Sequence, residues 1–397
     1  MYDVSIQKEK LGQAVSILNE LGIDMWMTVG RETSMNNDPI LPIIAGVDFT
    51  ALAALIITKA GETIALVGHN DTAGVVQTKL YKKVIGYDTS FKEEIIKVLD
   101  SINPSKIALN YSTDNVVADG LTYGLYLVIT EILNSNGYNG TIISAEDIIS
   151  KLRGRKSIEE QDRVSKAIDT AEKIFIDARS FIKTGVTEID IFNYFHDRMK
   201  YYGVEPSWQA SQCPGVMVGP NTAIGHNGPT EIVAERGFVM NIDFGVLENE
   251  YCSDLQRIYY VLEDDETKAC DEVQRAFDTI QEGIRRAVAF MKPGVTGSEV
   301  DSVAREYIVS QGYPEWNYAL GHQVGRLAHD GGIILATNRW SRYLPKLVNS
   351  PVEEGMIFTF EPGIATSRGY VGQEEMAIVT PDGGIFLSKQ QEEIYLV

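Results

Sequence analysis

The chain is 397 residues long, room for two domains each with its own core, and its 44% hydrophobic and 23% charged composition is that of an ordinary globular protein. Its 55 acidic and 35 basic residues leave a formal net charge of −20, which argues against nucleic acid or anionic lipid as a partner because phosphates would be repelled. The longest apolar run, near Ala51 to Thr58, is too short to span a bilayer, and Cys213, Cys252 and Cys270 show no paired or CxxC spacing, so a reducing, cytoplasmic setting without disulfides is expected.

From the start of the chain, a charged amphipathic pattern predicts a helix over residues 5–21 in place of a signal peptide, leading into the apolar run DMWMTV. ALAALIITKAGETIALVG reads as a hairpin turning at Ala60-Gly61. Helices are then expected near 70–81, 90–102 and 119–135, interleaved with strands near 84–87, at KIALNYS and at TIISA. Residues 1–150 therefore predict a layered α/β domain. It holds no GxGxxG, GxxxxGK[ST] or GxSxG, so neither a nucleotide nor a serine nucleophile is supported. The charged stretch KLRGRKSIEEQDR (151–163) reads as a linker running into a helix, with a second domain at 151–397.

That second part repeats itself. KTGVT at Lys183 to Thr187 returns as KPGVT at Lys292 to Thr296, 109 residues later, and Gly203 returns as Gly312 at the same offset. ERGFVMNIDFGV (Glu235 to Val246) matches EEGMIFTFEPGI (Glu353 to Ile364) at an offset of 118, with Asp243 falling on Glu361. Two helix-then-strand halves predict one domain with pseudo-two-fold symmetry and a ligand site at the seam.

Each half carries a hairpin with paired carboxylates. If Val246 faces Tyr251 across a four-residue turn, Asp243 stands opposite Asp254; if Ile364 faces Val371, Glu361 stands opposite Glu374. Like charges directly opposed are destabilising, and a buried pair must protonate or find a cation. Four carboxylates balance two divalent cations, and oxygen donors with an added imidazole favour a transition metal. Of five histidines, His322 and His329 lie in GHQVGRLAHD and His226 in IGHNGP, all beside glycines, whereas His69 and His196 read as ordinary surface or helix residues.

NIDFG…SDLQR, GHQVG…HD, FTFEPG and QEEMAIVT resemble the signature segments of the pita-bread metallopeptidases, the group of aminopeptidase P, prolidase, methionine aminopeptidase and creatinase. The likeness extends over essentially the whole chain. It implies an α/β creatinase-like N-terminal domain followed by an α+β pita-bread domain with an internal pseudo-two-fold repeat. It further implies that Asp243, Asp254, His322, Glu361 and Glu374 ligate two divalent metal ions, Mn2+ or Co2+ foremost and Zn2+ or Fe2+ as further options. His226 matches a proton-shuttling or substrate-contacting histidine, His329 one that contacts the substrate carbonyl, and Glu361 can relay protons. The activity implied is removal of the N-terminal residue from a small peptide, Xaa-Pro foremost, by water activated between the metals in a homodimer. The alternatives on this fold are a small-molecule amidinohydrolase or lyase, or a non-catalytic binding protein; members of those kinds typically lose ligands that this chain keeps.

The chain also departs from the family pattern. Gln323 stands where a glycine often follows the ligand histidine, Arg326 where an aliphatic residue is usual, and Asp330 where Glu is frequent. Gly372 replaces an arginine common in proline-specific members, and Ala365 a tyrosine. Two readings of Arg326 are open: a substitute carboxylate clamp, or a surface charge paired with Asp330.

Overall fold

A computed structural model describes residues 3–35, 38–225, 227–340 and 344–397. The chain forms two compact units, Met1–Arg153 and Gly154–Val397.

The first unit is built on strands β1 (Met25–Gly30), β2 (Ala53–Thr58), β3 (Thr63–Gly68), β4 (Lys83–Tyr87), β5 (Lys106–Leu109) and β6 (Thr141–Ser144), in the order β4-β3-β2-β1-β5-β6. Pairings β1/β2 and β2/β3 are antiparallel, and the other three are parallel. Every residue of β1, β2 and β3 is buried, which explains why their sequences read as continuous apolar runs without polar alternation. Helices cover both faces. Trp26, Leu55 and Ile57 pack with Leu11, Ala14 and Leu18 of α1 (Ser5–Leu21) and with Ile148 and Leu152, whereas Met25, Met27 and Ile56 pack with Phe91, Ile95, Leu125 and Ile129. The helix expected over 119–135 begins at Tyr123, because the Thr122 hydroxyl accepts from the Leu125 N–H and caps it there.

The stretch expected to be a linker is almost wholly helical. One helix runs over Glu146–Gly154 and the next, α2, over Ile158–Ala178, started by a capping box between Ser157 and Glu160. The residues between are held within the second unit: Arg155 Nε lies 2.7 Å from Glu353, and Lys156 Nζ 3.1 Å from Asp330.

In the second unit the repeat is a matter of matched hydrogen bonds. Thr187 and Thr296 cap helices α3 (Glu188–Tyr202) and α4 (Gly297–Ser310), each closing a capping box with an acid three residues on. Gly185 N–H donates to Ala234 C=O and Gly294 N–H to Val352 C=O, at corresponding positions of the two halves. Gly203 and Gly312 both adopt positive φ just past their helices. Strands β7 (Val239–Phe244) and β8 (Leu255–Tyr260) form the first half's hairpin, and β9 (Ile357–Phe360) with β10 (Glu375–Thr380) the second's. Met240, Ile242 and Phe244 of β7 face the core made with α2 and α3, so Asn241 and Asp243 turn to the other face by the two-residue period of a strand. The two half-sheets touch there through a bridge between Gln256 and Glu374. The carboxylates sit at that seam.

Candidate metal centre

The first hairpin differs from the expected register. Leu247 faces Cys252 and Asp243 faces Gln256, because the turn is made by Asn249 and Glu250 alone, both at positive φ (49° and 69°). Two-residue turns with both residues at positive φ match the right-handed twist of the strands they join, which makes them the commonest hairpin connection. The slip is two residues, so face parity survives and Asp254 still shares a face with Asp243, diagonally and not directly opposite. The second hairpin has the expected register, Ile364 facing Val371 with Phe360 facing Glu375, which sets Glu361 against Glu374.

The histidine arrives on a different segment. Gly321 precedes His322 because a Cβ there would come within 1.9 Å of the Thr359 carbonyl oxygen. The His322 backbone N–H then donates to Thr359 Oγ1 at 3.1 Å, and the same hydroxyl bonds Glu361. Ligating atoms of Asp254, His322 and Glu374 lie within 4.8 Å of one another. His322 Nε2 is 3.7 Å from Asp254 and 3.5 Å from Glu361. The Nδ1 of that ring is 3.3 Å from the Gln323 carbonyl; a carbonyl only accepts, so Nδ1 is the donor there and Nε2 is the nitrogen turned to the carboxylates.

Electrostatics make this arrangement unstable by itself. Burial pushes Asp243 up to about 7. Burial first, and then the charges of Asp243 and Glu361, hold Asp254 well above the usual carboxylate range. Glu361 is raised by burial and by Asp243, and Glu374 by burial and by Asp254, Glu361 and Asp243. Asp243 Oδ1 and Glu374 Oε1 are buried without a hydrogen-bond partner among the described residues. Carboxylate oxygens without hydrogen-bond partners, beside further carboxylates and an imidazole nitrogen, fit divalent cations: a cation supplies what each oxygen lacks and reverses the shift of every carboxyl.

Carboxyls whose folded pKa exceeds the unfolded value bind protons in the native state, so metal-free protein loses stability as pH rises from about 4 through 7. Chelated protein is expected to melt lower at pH 8 than at pH 5.5, by on the order of 5 °C, and Mn2+ to abolish the difference; calorimetric scans at the two pH values check this.

Among the remaining expected residues, His329 is exposed, its ring set edge-on to that of His322 with centroids 4.2 Å apart. His226 lies outside the described residues. The segment around it is anchored by Glu188, buried on α3, which accepts from Val218 N–H, from the Thr222 hydroxyl, and from both the N–H and hydroxyl of Thr230. The pairing of Arg326 with Asp330 does not occur. Arg326 makes a two-pronged contact with Glu250 at the tip of the first hairpin (2.9 and 3.1 Å), and Asp330 pairs with buried Lys156. Gln323 is buried, and a Cβ on Gly332 would meet its amide nitrogen at 2.5 Å, so its side chain fills the loop wall.

Several residues at the seam have little or no signature in the sequence. Gln256 bonds Glu374. Arg257, 1% exposed, donates to the carbonyls of Gln256 and Glu374 and to the Glu375 carboxylate, tying β8 to β10. Tyr318 and Tyr370 share a hydroxyl–hydroxyl hydrogen bond beside Glu361. Gln256 has one signal, its two-residue spacing from Asp254; Arg257 faces away from the carboxylates and has none.

The model of metallopeptidase family M24 matches residues 162–381, more than half of the chain. The Xaa-Pro dipeptidase of Pyrococcus horikoshii is 27% identical over 369 residues, covering 90% of this chain and 99% of that protein. Among solved structures, the Xaa-Pro dipeptidase from Bacillus anthracis superposes with a TM-score of 0.74 at 25% identity, covering 98% of this chain and 99% of the other. The X-Pro aminopeptidase from Thermotoga maritima gives 0.70 at 24% identity with the same coverage, so the fold is shared along the whole length.

Proposed function

The chain belongs to metallopeptidase family M24 and is an enzyme acting on peptides, and from that premise we propose that it releases the N-terminal residue of small peptides, Xaa-Pro foremost. We assign the first unit as the creatinase-like N-terminal domain and the second as the catalytic pita-bread domain. The observation that carries the reading is the group of four carboxylates at the seam, raised by burial and by one another, with Asp243 Oδ1 and Glu374 Oε1 left without hydrogen-bond partners among the described residues and His322 Nε2 set among them.

Asp243, Asp254, His322, Glu361 and Glu374 would hold two divalent ions, with Mn2+ or Co2+ our assignment. Such ions, when bound, acidify water and polarise a carbonyl. The chain's own groups do the rest. The Thr359 hydroxyl keeps Glu361 and His322 in fixed relation, so the carboxylate that relays the proton does not drift from the ligand set. His329, exposed with its ring at the edge of His322, is assigned the donor to the substrate carbonyl as it gains charge. His226 is assigned the proton transfer to the leaving amine. A homodimer in the cytoplasm completes the proposal, in keeping with unpaired cysteines.

The names of the relatives, a dipeptidase and an aminopeptidase, favour peptide cleavage over an amidinohydrolase, a lyase or a binding protein. The experiment compares an Xaa-Pro dipeptide, an Xaa-Pro tripeptide and a longer peptide, each with Mn2+, Co2+ and Zn2+, with metal content measured on the same samples. Release of the first residue by metal-loaded protein is the expected result. Metal-replete protein that turns over none of the three overturns the proposal.

A further inference from the structure

The face of the second hairpin that carries Glu361 and Glu374 has two further rows, Gly363 opposite Gly372 and Ala365 opposite Tyr370. The Tyr370 ring lies back across the glycine row. A Cβ on Gly363 would fall 1.9 Å from the Tyr370 hydroxyl, and one on Gly372 would fall 2.8 Å from the ring's Cε1. Side chains at either glycine would lift the ring, so the glycines form a floor that brings a phenol toward the carboxylates. There the hydroxyl meets that of Tyr318, which also lies 3.3 Å from the Glu361 carbonyl. Tyr318 is itself held from behind. Its carbonyl accepts from Arg305 Nη2 at 3.0 Å, and Arg305 is fixed by a buried pair with Asp301 at 2.6 Å. Both tyrosines remain partly exposed, so the pair borders open space and is not sealed in a core.

We propose that Tyr370 is a further catalytic residue, its hydroxyl donating to the substrate's scissile carbonyl oxygen as charge develops there, and that Tyr318 is the positioning residue acting through it. This rests on the peptidase reading above. In the resting site Tyr318 can donate to the Glu361 carbonyl while Tyr370 donates to Tyr318. Turning both hydroxyls about their C–O bonds lets Tyr318 donate to Tyr370 and frees the Tyr370 proton for the substrate. No bond breaks, and no charge is added to a site already crowded with carboxylates. A donor realised only in the transition state raises kcat and leaves KM nearly unchanged.

The test uses full-length, manganese-loaded protein and whichever Xaa-Pro peptide the wild type cleaves. Tyr370→Phe is expected to lower kcat about 10²-fold with KM within about twofold, as for removal of one oxyanion donor. Manganese stoichiometry and melting temperature, measured beside it, should match the wild type. Tyr318→Phe should lower kcat less, about tenfold, and the double variant should be no slower than Tyr370→Phe alone, because Tyr318 acts only through its neighbour. An active wild type with Tyr370→Phe within twofold of it overturns the inference and leaves the peptidase reading intact. So does a Tyr370→Phe protein that has lost manganese, or single effects that multiply in the double variant. A wild type that cleaves no peptide overturns the peptidase reading and this inference with it.

Discussion

Asp254→Ala, purified in manganese, is expected to lose metal from the centre and to fall in activity by more than about 10³-fold, beyond the effect of removing a single oxyanion donor. Asp254 is buried and lies with His322 and Glu374 in one group of atoms within 4.8 Å. Its place is set by the backbone, whose N–H donates to Met376 Sδ at 3.3 Å, so truncation removes the carboxylate without moving the strand. Glu361→Ala should act alike, since its carboxylate faces the same imidazole at 3.5 Å. A second measurement separates loss of metal from loss of fold. Asp254 is the foremost charge repelling Glu374, so its removal relieves a buried like-charge contact in the metal-free state. In chelator the variant should therefore melt no lower than the wild type at pH 8, and on adding Mn2+ only the wild type should gain. An Asp254→Ala protein that keeps two ions per chain would break the assignment of ligands.

His329→Ala is the second large effect, of a different kind. The ring touches His322 edge-on and is exposed, whereas Asp254 and Glu374 are buried. Metal content should stay near wild type and kcat should fall roughly 10²–10³-fold, with KM little changed, since the substitution removes the hydrogen bond proposed to reach the developing oxyanion. Metal analysis with steady-state kinetics on one preparation decides it. If manganese disappears along with activity, His329 acts by supporting the ring of His322, and its proposed role toward substrate is wrong.

These two variants also separate what pattern alone could deliver from what it could not. The strand faces bearing Asp243 and Glu361 were legible because apolar residues alternate with them and strand parity is local. KTGVT and KPGVT were legible as a repeat, and the structure shows what it does: Thr187 and Thr296 each start a helix, a hydroxyl and an acid three residues apart satisfying each other within one turn. The turn at Asn249 and Glu250 was not, since Asn-Glu lacks the glycine that marks a two-residue loop, and the pairing slipped by two. Even so the set of carboxylates on the shared face was unchanged, because a slip of two cannot move a residue across a sheet.

Local periodicity and a repeat of 109 to 118 residues were thus enough to specify two matched halves, the acidic faces of their hairpins and a histidine between glycines. Tertiary packing alone decided who meets whom at a distance. It gave Arg326 to Glu250 and Asp330 to Lys156, brought Tyr318 onto Tyr370, and set Arg257 across both hairpins. The reason is physical: a side chain's face follows from its neighbours along the chain, but a long, flexible donor takes whichever partner the assembled halves leave within a few ångströms.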